Sequence, residues 1–584
     1  MSISFLELPL ELLHRIANEV PRLQDRKSLR LTCSSFGEVF RSHVLAEVTL
    51  NIHGDNLEHG INFLQTLVDE EKNLKADPVI TSKYSRHIRT LYIDSLCPRY
   101  FIESEEDFEQ RQRMLRYTFE VEEGARLWSE ANFPSEQILI AETKLQSLLK
   151  PALESLYRLT AIRWRWHWRD SQWSLDTISE CLEGPKLCRN MKEFTFAYHP
   201  SAIDIGKPFP LPNLKQLRVF SVSGAIFEND FKKIARHPIM SNNLKTLHLS
   251  QNRIRYSSIP FDIHIPATVS DLRLHGLTLE SIGKVTYRNI TSLDLGTLMS
   301  TNREWDALWD ILSSQQIHLC DFAIHRITRL AHHDMDKMLN YFQSYSGLES
   351  FSLKGPMWYD PSLYDSYAIK FYENVLPMHV ETLVKLELKP EFESKWCFGV
   401  DNINVLRRCK RLRSLWVKVD HRGLEPELIP ERLVAGTLYG DRNSPMLFGS
   451  SSAGASYPNL VHLLLQLVSS DLHDLEKLTL EPARNPSWAH DHTDMIFGAQ
   501  FRLGIQRRLR ASVESFARDL SNHVLQWVRI YIVNERVIIA PIQDQDDADG
   551  KQKEGKIRKK KGQLETKHKT VFQEISGFTK RLLQ

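Results

Sequence analysis

Residues 244–254 read Leu244-Lys245-Thr246-Leu247-His248-Leu249-Ser250-Gln251-Asn252-Arg253-Ile254. Leu247 and Leu249 alternate with polar neighbours as a strand requires, so one face packs and the other stays wet. Leu244 adds an apolar residue three places earlier, and the same spacing recurs before it as Ile88-Leu91-Ile93, Leu159-Ile162-Trp164, Met191-Phe194-Phe196 and Leu214-Leu217-Val219. It continues after it as Val269-Leu272-Leu274, Ile290-Leu293-Leu295, Leu319-Phe322-Ile324, Leu348-Phe351-Leu353, Leu383-Leu386-Leu388 and Leu412-Leu415-Val417. Between middle positions 194 and 415 the steps are 23, 30, 25, 21, 29, 29, 35 and 29 residues. A near-constant step implies one stacked unit.

The segments between these strands carry helical periodicity. Trp305, Leu308, Trp309 and Leu312 make one stripe, Met335, Met338, Leu339 and Phe342 a second, and Ile369, Tyr372, Val375 and Leu376 a third. Leu460-Leu463-Leu465 and Leu475-Leu478-Leu480 both fit the strand spacing but stand only 15 residues apart, so one of them is a helix and the spacing leaves open which. An amphipathic helix around Phe501–Leu520 and a strand-like run from Val528 to Ile539 close the body. Two stretches break the rhythm: a charged insertion over 94–150, with a helix from Ser135 to Leu149 stopped near Pro151, and a Gly/Ser-rich flexible loop over 420–457. Residues 541–584 form a polar tail with Lys556, Arg558, Lys559, Lys560 and Lys561, expected to be disordered and readable as a solvated tail or as a nuclear import signal.

A strand followed by a helix every 20–30 residues, with apolar residues at those offsets, resembles the leucine-rich repeat. The resemblance implies an α/β horseshoe solenoid of strand–helix units over 49–540, with the outward strand residues lining a concave sheet. By the alternation, Arg218, His248, Arg273, Asp294, Ser352, Glu387 and Trp416 line it. Both charges and an aromatic suit a protein or peptide target better than a phosphate backbone.

Ahead of the repeats lies a helical hook. Pro9 suits a first helical turn, and Leu12, Ile16 and Val20 follow at i, i+4 and i+8, with Pro21 closing the helix. Asp25 can cap a second short helix carrying Leu29 and Leu31, and Ser35 with Glu38 has the spacing of a capping box before Phe36, Val39 and Phe40. Leu8-Pro9, Glu11-Leu12, Ile16, Asp25, Leu29-Arg30-Leu31 and Cys33 resemble the F-box. That resemblance implies a three-helix module over 1–48 that docks a Skp-family adaptor, and through it a cullin–RING ubiquitin ligase. The docking residues would be Leu8, Pro9, Leu12, Ile16, Leu29, Leu31 and Cys33. The repeats would then hold a protein substrate for ubiquitination in cytoplasm or nucleus, with no bond chemistry by this chain. The residues alone also admit a non-catalytic interaction scaffold in which the hook is a cap. An RNA-associated reading rests on Arg163-Trp164-Arg165-Trp166-His167-Trp168-Arg169 and the basic tail, but strict alternation sends the tryptophans to one side and the cations to the other.

Composition agrees with a globular chain: 584 residues, 42% hydrophobic, 25% charged, net charge +2. Near-neutral charge argues against nucleic acid or an acidic membrane as a global partner. Seven scattered cysteines without a C-x-x-C pair suit a reducing compartment, and neither a secretory leader nor an apolar run of about 18 residues is apparent. Nucleophile elbow, P-loop, H-E-x-x-H and dinucleotide-binding glycines are missing. His490, Asp491, His492 and Asp494 are too close in sequence to converge on an ion without a special turn. Neither a metal nor a cofactor is expected.

Overall fold

The computed structural model describes residues 10–20, 23–32, 34–53, 56–76, 84–98, 136–166, 170–198, 216–224, 243–251, 265–278, 289–299, 302–328, 335–355, 361–419, 459–483, 506–517, 528–533 and 535–537. Among the described residues, sixteen strands make one open sheet. They are β1 Glu47–Asn51, β2 Thr90–Ser95, β3 Ala161–Trp166, β4 Glu193–Tyr198, β5 Val219–Gly224, β6 Thr246–Gln251, β7 Asp271–His275 and β8 Leu277–Thr278. The rest are β9 Ser292–Met299, β10 Asp321–Thr328, β11 Ser350–Lys354, β12 Lys385–Lys389, β13 Ser414–Val419, β14 Lys477–Pro482, β15 Arg529–Ile532 and β16 Glu535–Val537. With β8 set beside β9, strands β1 to β15 pair in chain order, and every pair is parallel. Each crossover returns the chain to the same edge, which gives a solenoid-like α/β architecture.

Register makes the repeat explicit. Leu91, Ile162, Phe194, Phe220, Leu247, Leu272, Leu293, Phe322, Phe351, Leu386, Leu415, Leu478 and Ile530 stand side by side, all within 2% of full burial. Each contributes about 1.5–3 kcal/mol by leaving water. Two residues before each of them, the backbone repeats a second device. From Ala46 to Arg413, the carbonyls of Ala46, Arg89, Thr160, Lys192, Arg218, Lys245, Ser270, Thr291, Cys320, Glu349, Val384 and Arg413 each accept two N–H groups from the next unit at 2.7–3.1 Å. That ladder satisfies the backbone where the strands begin.

The helices cover the apolar face. The stripes Trp305, Leu308, Trp309, Leu312 and Met335, Met338, Leu339, Phe342 are buried in the helices Asn302–Ser314 and Met335–Gln343. Asn459 caps Leu460–Ser470 by accepting from Val461 and His462, so of the two competing runs the first is the helix and the second is β14. Four expectations need correction. The helix expected to stop near Pro151 runs over Glu136–Ser155, because Leu149, Ala152, Leu153 and Leu156 are buried and their packing outweighs the missing N–H. The charged insertion is accordingly shorter than 94–150, since both of its ends belong to the sheet and core. The third stripe is buried at Tyr372, Val375 and Leu376 as expected, but Ile369 is half-exposed: its helix Pro361–Lys370 buries Tyr364 and Ala368 instead, and a π turn at Phe371–Val375 joins that phase to the later residues. Finally, the run from Val528 splits into β15 and β16, which pair antiparallel through a turn with Val533 at φ 59°.

The hook forms three short helices, Leu10–Glu19, Leu23–Arg30 and Ser34–Val44. Leu13, Ala17, Phe36, Val39, Phe40 and Val44 make a small core of their own, with Val20 and Leu29 packed on it, and this cluster is separate from the continuous core of the body. The Leu8, Pro9 and Cys33 positions, Asn252, the loop 420–457, the His490–Asp494 cluster and the tail 541–584 lie outside the described residues.

Candidate binding face

On the side of the sheet away from the helices, the residue after each buried middle position forms a row. Neighbouring strands set Tyr92, Arg163, Thr195, Ser221, His248, Arg273, Asp294, Ala323, Ser352, Glu387, Trp416, Thr479 and Tyr531 next to one another. His248, Arg273, Asp294, Ser352, Glu387 and Trp416 therefore stand where the alternation puts them. Arg218 does not. Both Leu214-Leu217-Val219 and Leu217-Phe220-Val222 are apolar triplets, and the chain adopts the second because it buries Leu217, Phe220 and Val222 together. The middle position is Phe220, with steps of 26 and 27 from Phe194 and to Leu247 in place of 23 and 30. Arg218 is exposed in the ladder before β5, and Ser221 takes the row position, its hydroxyl 2.9 Å from His248 Nδ1.

Two polar clusters dominate this face. In the first, Glu387 is nearly buried on β12 and is ringed by cations: Lys385 Nζ at 3.0 Å, Lys354 and Lys389 at 3.5 Å, with Ser352 Oγ donating at 3.1 Å. Burial alone would raise this carboxyl, but the lysines override it and hold it down at about 2. Burial pushes the Lys389 ammonium down to about 7, against the pull of Glu387, and Lys354 adds to the depression. The Lys389 ammonium lies over the Trp416 ring, whose buried indole N–H has no hydrogen-bond partner. Three lysines crowd Glu387, with Glu481 the next carboxylate acting on Lys389, and leave a surplus of positive charge beside the Trp416 ring.

The second cluster lies on β6, β7, β9 and β10. Asp294 Oδ1 is 3.1 Å from His275 Nε2 and 3.3 Å from His325 Nε2, and His248 stacks edge-on to His275 at 5.0 Å. Burial works to raise Asp294, but the two imidazoles hold its carboxyl well below the usual range. Burial, followed by His275 and Arg273, lowers His248 to about 4, so it is neutral at physiological pH. Arg273 is engaged by Asp271 at 2.9 and 3.1 Å. His275 and His325 were not singled out from sequence. They stand two residues beyond the row position of their strands, and applying the alternation one step further would have found them.

Toward the first strands, Arg163 bridges Tyr92 and Glu193 on the polar face while Trp164 and Trp166 are fully buried, so residues 163–166 of the Trp/Arg run belong to a repeat strand with its tryptophans inward, and 167–169 lie outside the described residues. On the hook, Leu12 is 42% and Leu31 84% exposed, whereas Leu29 packs against the hook's own core. Ile16 lies within the first helix. Among the described residues, no helix is long and apolar enough to cross a membrane. Compared with known proteins, the chain matches no family model and no curated sequence.

Proposed function

We propose that this chain is the substrate-recognition subunit of a Skp–cullin–F-box ubiquitin ligase. The hook would act as the F-box that docks the Skp-family adaptor, and the leucine-rich-repeat-like body would hold the protein to be ubiquitinated. The observation that carries this reading is the separate core of the hook, which leaves Leu12 and Leu31 exposed rather than plugged by the body. Large exposed aliphatics beside a small closed core are what a docking helix surface needs. The chain's contribution would be to raise the local concentration of target at the ligase, with no covalent chemistry of its own. On the body, the lysines crowded beside Trp416 favour an acidic target segment.

The test is capture of a purified Skp-family adaptor by the full-length protein. Binding is expected, and Leu12→Asp with Leu31→Asp should abolish it while the far-UV spectrum and the melting of the body stay unchanged. Failure of the unaltered protein to bind, or binding that survives the double substitution, overturns the assignment.

A further inference from the structure

The His275–Asp294–His325 cluster is arranged less like a hydrogen-bond network than like a set of ligands. Asp294 Oδ1 and His275 Nε2 are both buried atoms that face each other at 3.1 Å as an ion pair, without the geometry of a well-formed N–H···O hydrogen bond. A buried carboxylate oxygen with imidazole nitrogens at 3.1 and 3.3 Å is satisfied either by protons on those nitrogens or by a cation that bridges the three. The spacing is informative. Ligands held at about 2.0–2.1 Å around a tetrahedral ion stand roughly 3.3 Å apart, and the two His–Asp edges match that value; the three ligand atoms all lie within 4.8 Å of one another.

The backbone supports the same geometry. The three ligands come from three neighbouring strands of a rigid sheet, which fixes their positions better than a loop would. Gly296 lies two residues after Asp294 on β9, and a Cβ there would sit 2.3 Å from the His275 ring. Only the absence of a side chain at 296 lets that imidazole fold across β9 toward Asp294. This is a close approach and not a turn requirement.

We propose that His275 Nε2, His325 Nε2 and Asp294 Oδ1 form a site for a divalent transition-metal ion, with zinc the ion that two imidazoles and a carboxylate fit best. Water or a carboxylate from a bound partner would complete the coordination. The site stands independently of the F-box reading. It has identifiable competitors. Lys354 Nζ lies 3.2 Å from His325 Nδ1 and 3.5 Å from Glu387 Oε2, and Arg273 is a second cation that acts on Asp294. A lysine donating to Nδ1 keeps the imidazole proton on Nε2, the nitrogen the metal needs. Loading therefore moves that proton to Nδ1, and Lys354 must turn to Glu387. Lys354 is in this sense a positioning residue that opposes the metal.

Full-length protein stripped with a chelator and titrated with Zn2+ at neutral pH should bind one ion per chain, and Co2+ in its place should give the intense visible absorption of a low-symmetry tetrahedral site that Zn2+ then bleaches. Asp294→Asn, which preserves volume, and His275→Ala should each weaken binding by roughly a hundredfold. Gly296→Ala should weaken it by roughly tenfold or more through displacement of His275, and Lys354→Met should tighten it several-fold. His490→Ala with His492→Ala should leave the stoichiometry unchanged. Absence of stoichiometric Zn2+, or binding that survives Asp294→Asn or disappears with the His490 and His492 substitutions, overturns the proposal. Should His275→Ala fail to fold, the Lys354→Met and Asp294→Asn arms still decide it.

Discussion

Lys389 is the residue on which the polar face is most sharply tuned. Its free ammonium titrates at 10.5 and the folded one at about 7, so folding releases a proton between those values. By linkage, stability from this group rises with pH across that window, because the unfolded state binds more protons there. Glu387 works in the opposite range. Its contribution is present above its unperturbed 4.5 and is lost as pH falls toward about 2. Urea midpoints of the full chain should therefore climb between pH 7 and 10, and Lys389→Met should remove most of that slope; an unaltered slope would mean that the ammonium is not desolvated. Capture of an acidic target should move the other way and weaken as pH rises through about 7, because the charged form is what the partner meets. Lys389→Arg should flatten that dependence while keeping the affinity. Replacing Glu387 by Gln leaves Lys354, Lys385 and Lys389 without their shared counter-charge, and a loss of about 3 kcal/mol is expected in chemical denaturation.

Helices and strands differ in how well their sequence announces them. The strand–helix alternation was legible because Leu247, Leu272, Leu293 and their equivalents each offer one apolar phase. At Leu214–Val222 two phases compete, and only the neighbouring unit, through the pairing of Phe194 with Phe220, selects between them. Pro151 likewise looks like a terminator until the burial of Leu149, Ala152 and Leu153 is known. The π turn at Phe371–Val375 re-phases a stripe by one residue, which no fixed period anticipates. The polar clusters were legible as a row but not as sites, since which lysine meets Glu387 and which histidine meets Asp294 depends on positions two residues before or beyond the row. The aromatic packing of Asn302–Ser314 gives a direct check on the helical layer. Trp309 is buried against Trp305, Phe322, Tyr341 and Phe342 at centroid distances of 5.1–5.8 Å. Trp309→Ala should cost the body about 3–5 kcal/mol in denaturant unfolding, whereas Leu12→Asp on the hook, at an exposed position, should change stability by no more than about 0.5 kcal/mol.

At the scale of the chain, one apolar cluster runs from Leu50 to Val537, while the hook keeps a second that does not join it. In a stack where each unit rests on its neighbours, damage to one unit propagates along the contiguous core but has no route into a separate one. The two parts should therefore unfold as distinct transitions. Removing residues 1–45 should shift the main calorimetric transition by less than about 2 °C, the size expected for sites without shared partners. Trp309→Ala should lower that transition by several degrees and leave adaptor capture by the hook intact. Phe40 is fully buried in the small core, so Phe40→Ala should abolish capture by melting the hook, while the main transition stays where it was. If Phe40→Ala instead lowers the main transition as much as Trp309→Ala does, the hook is energetically part of the body. Its exposed leucines would then lose their standing as an independent docking surface.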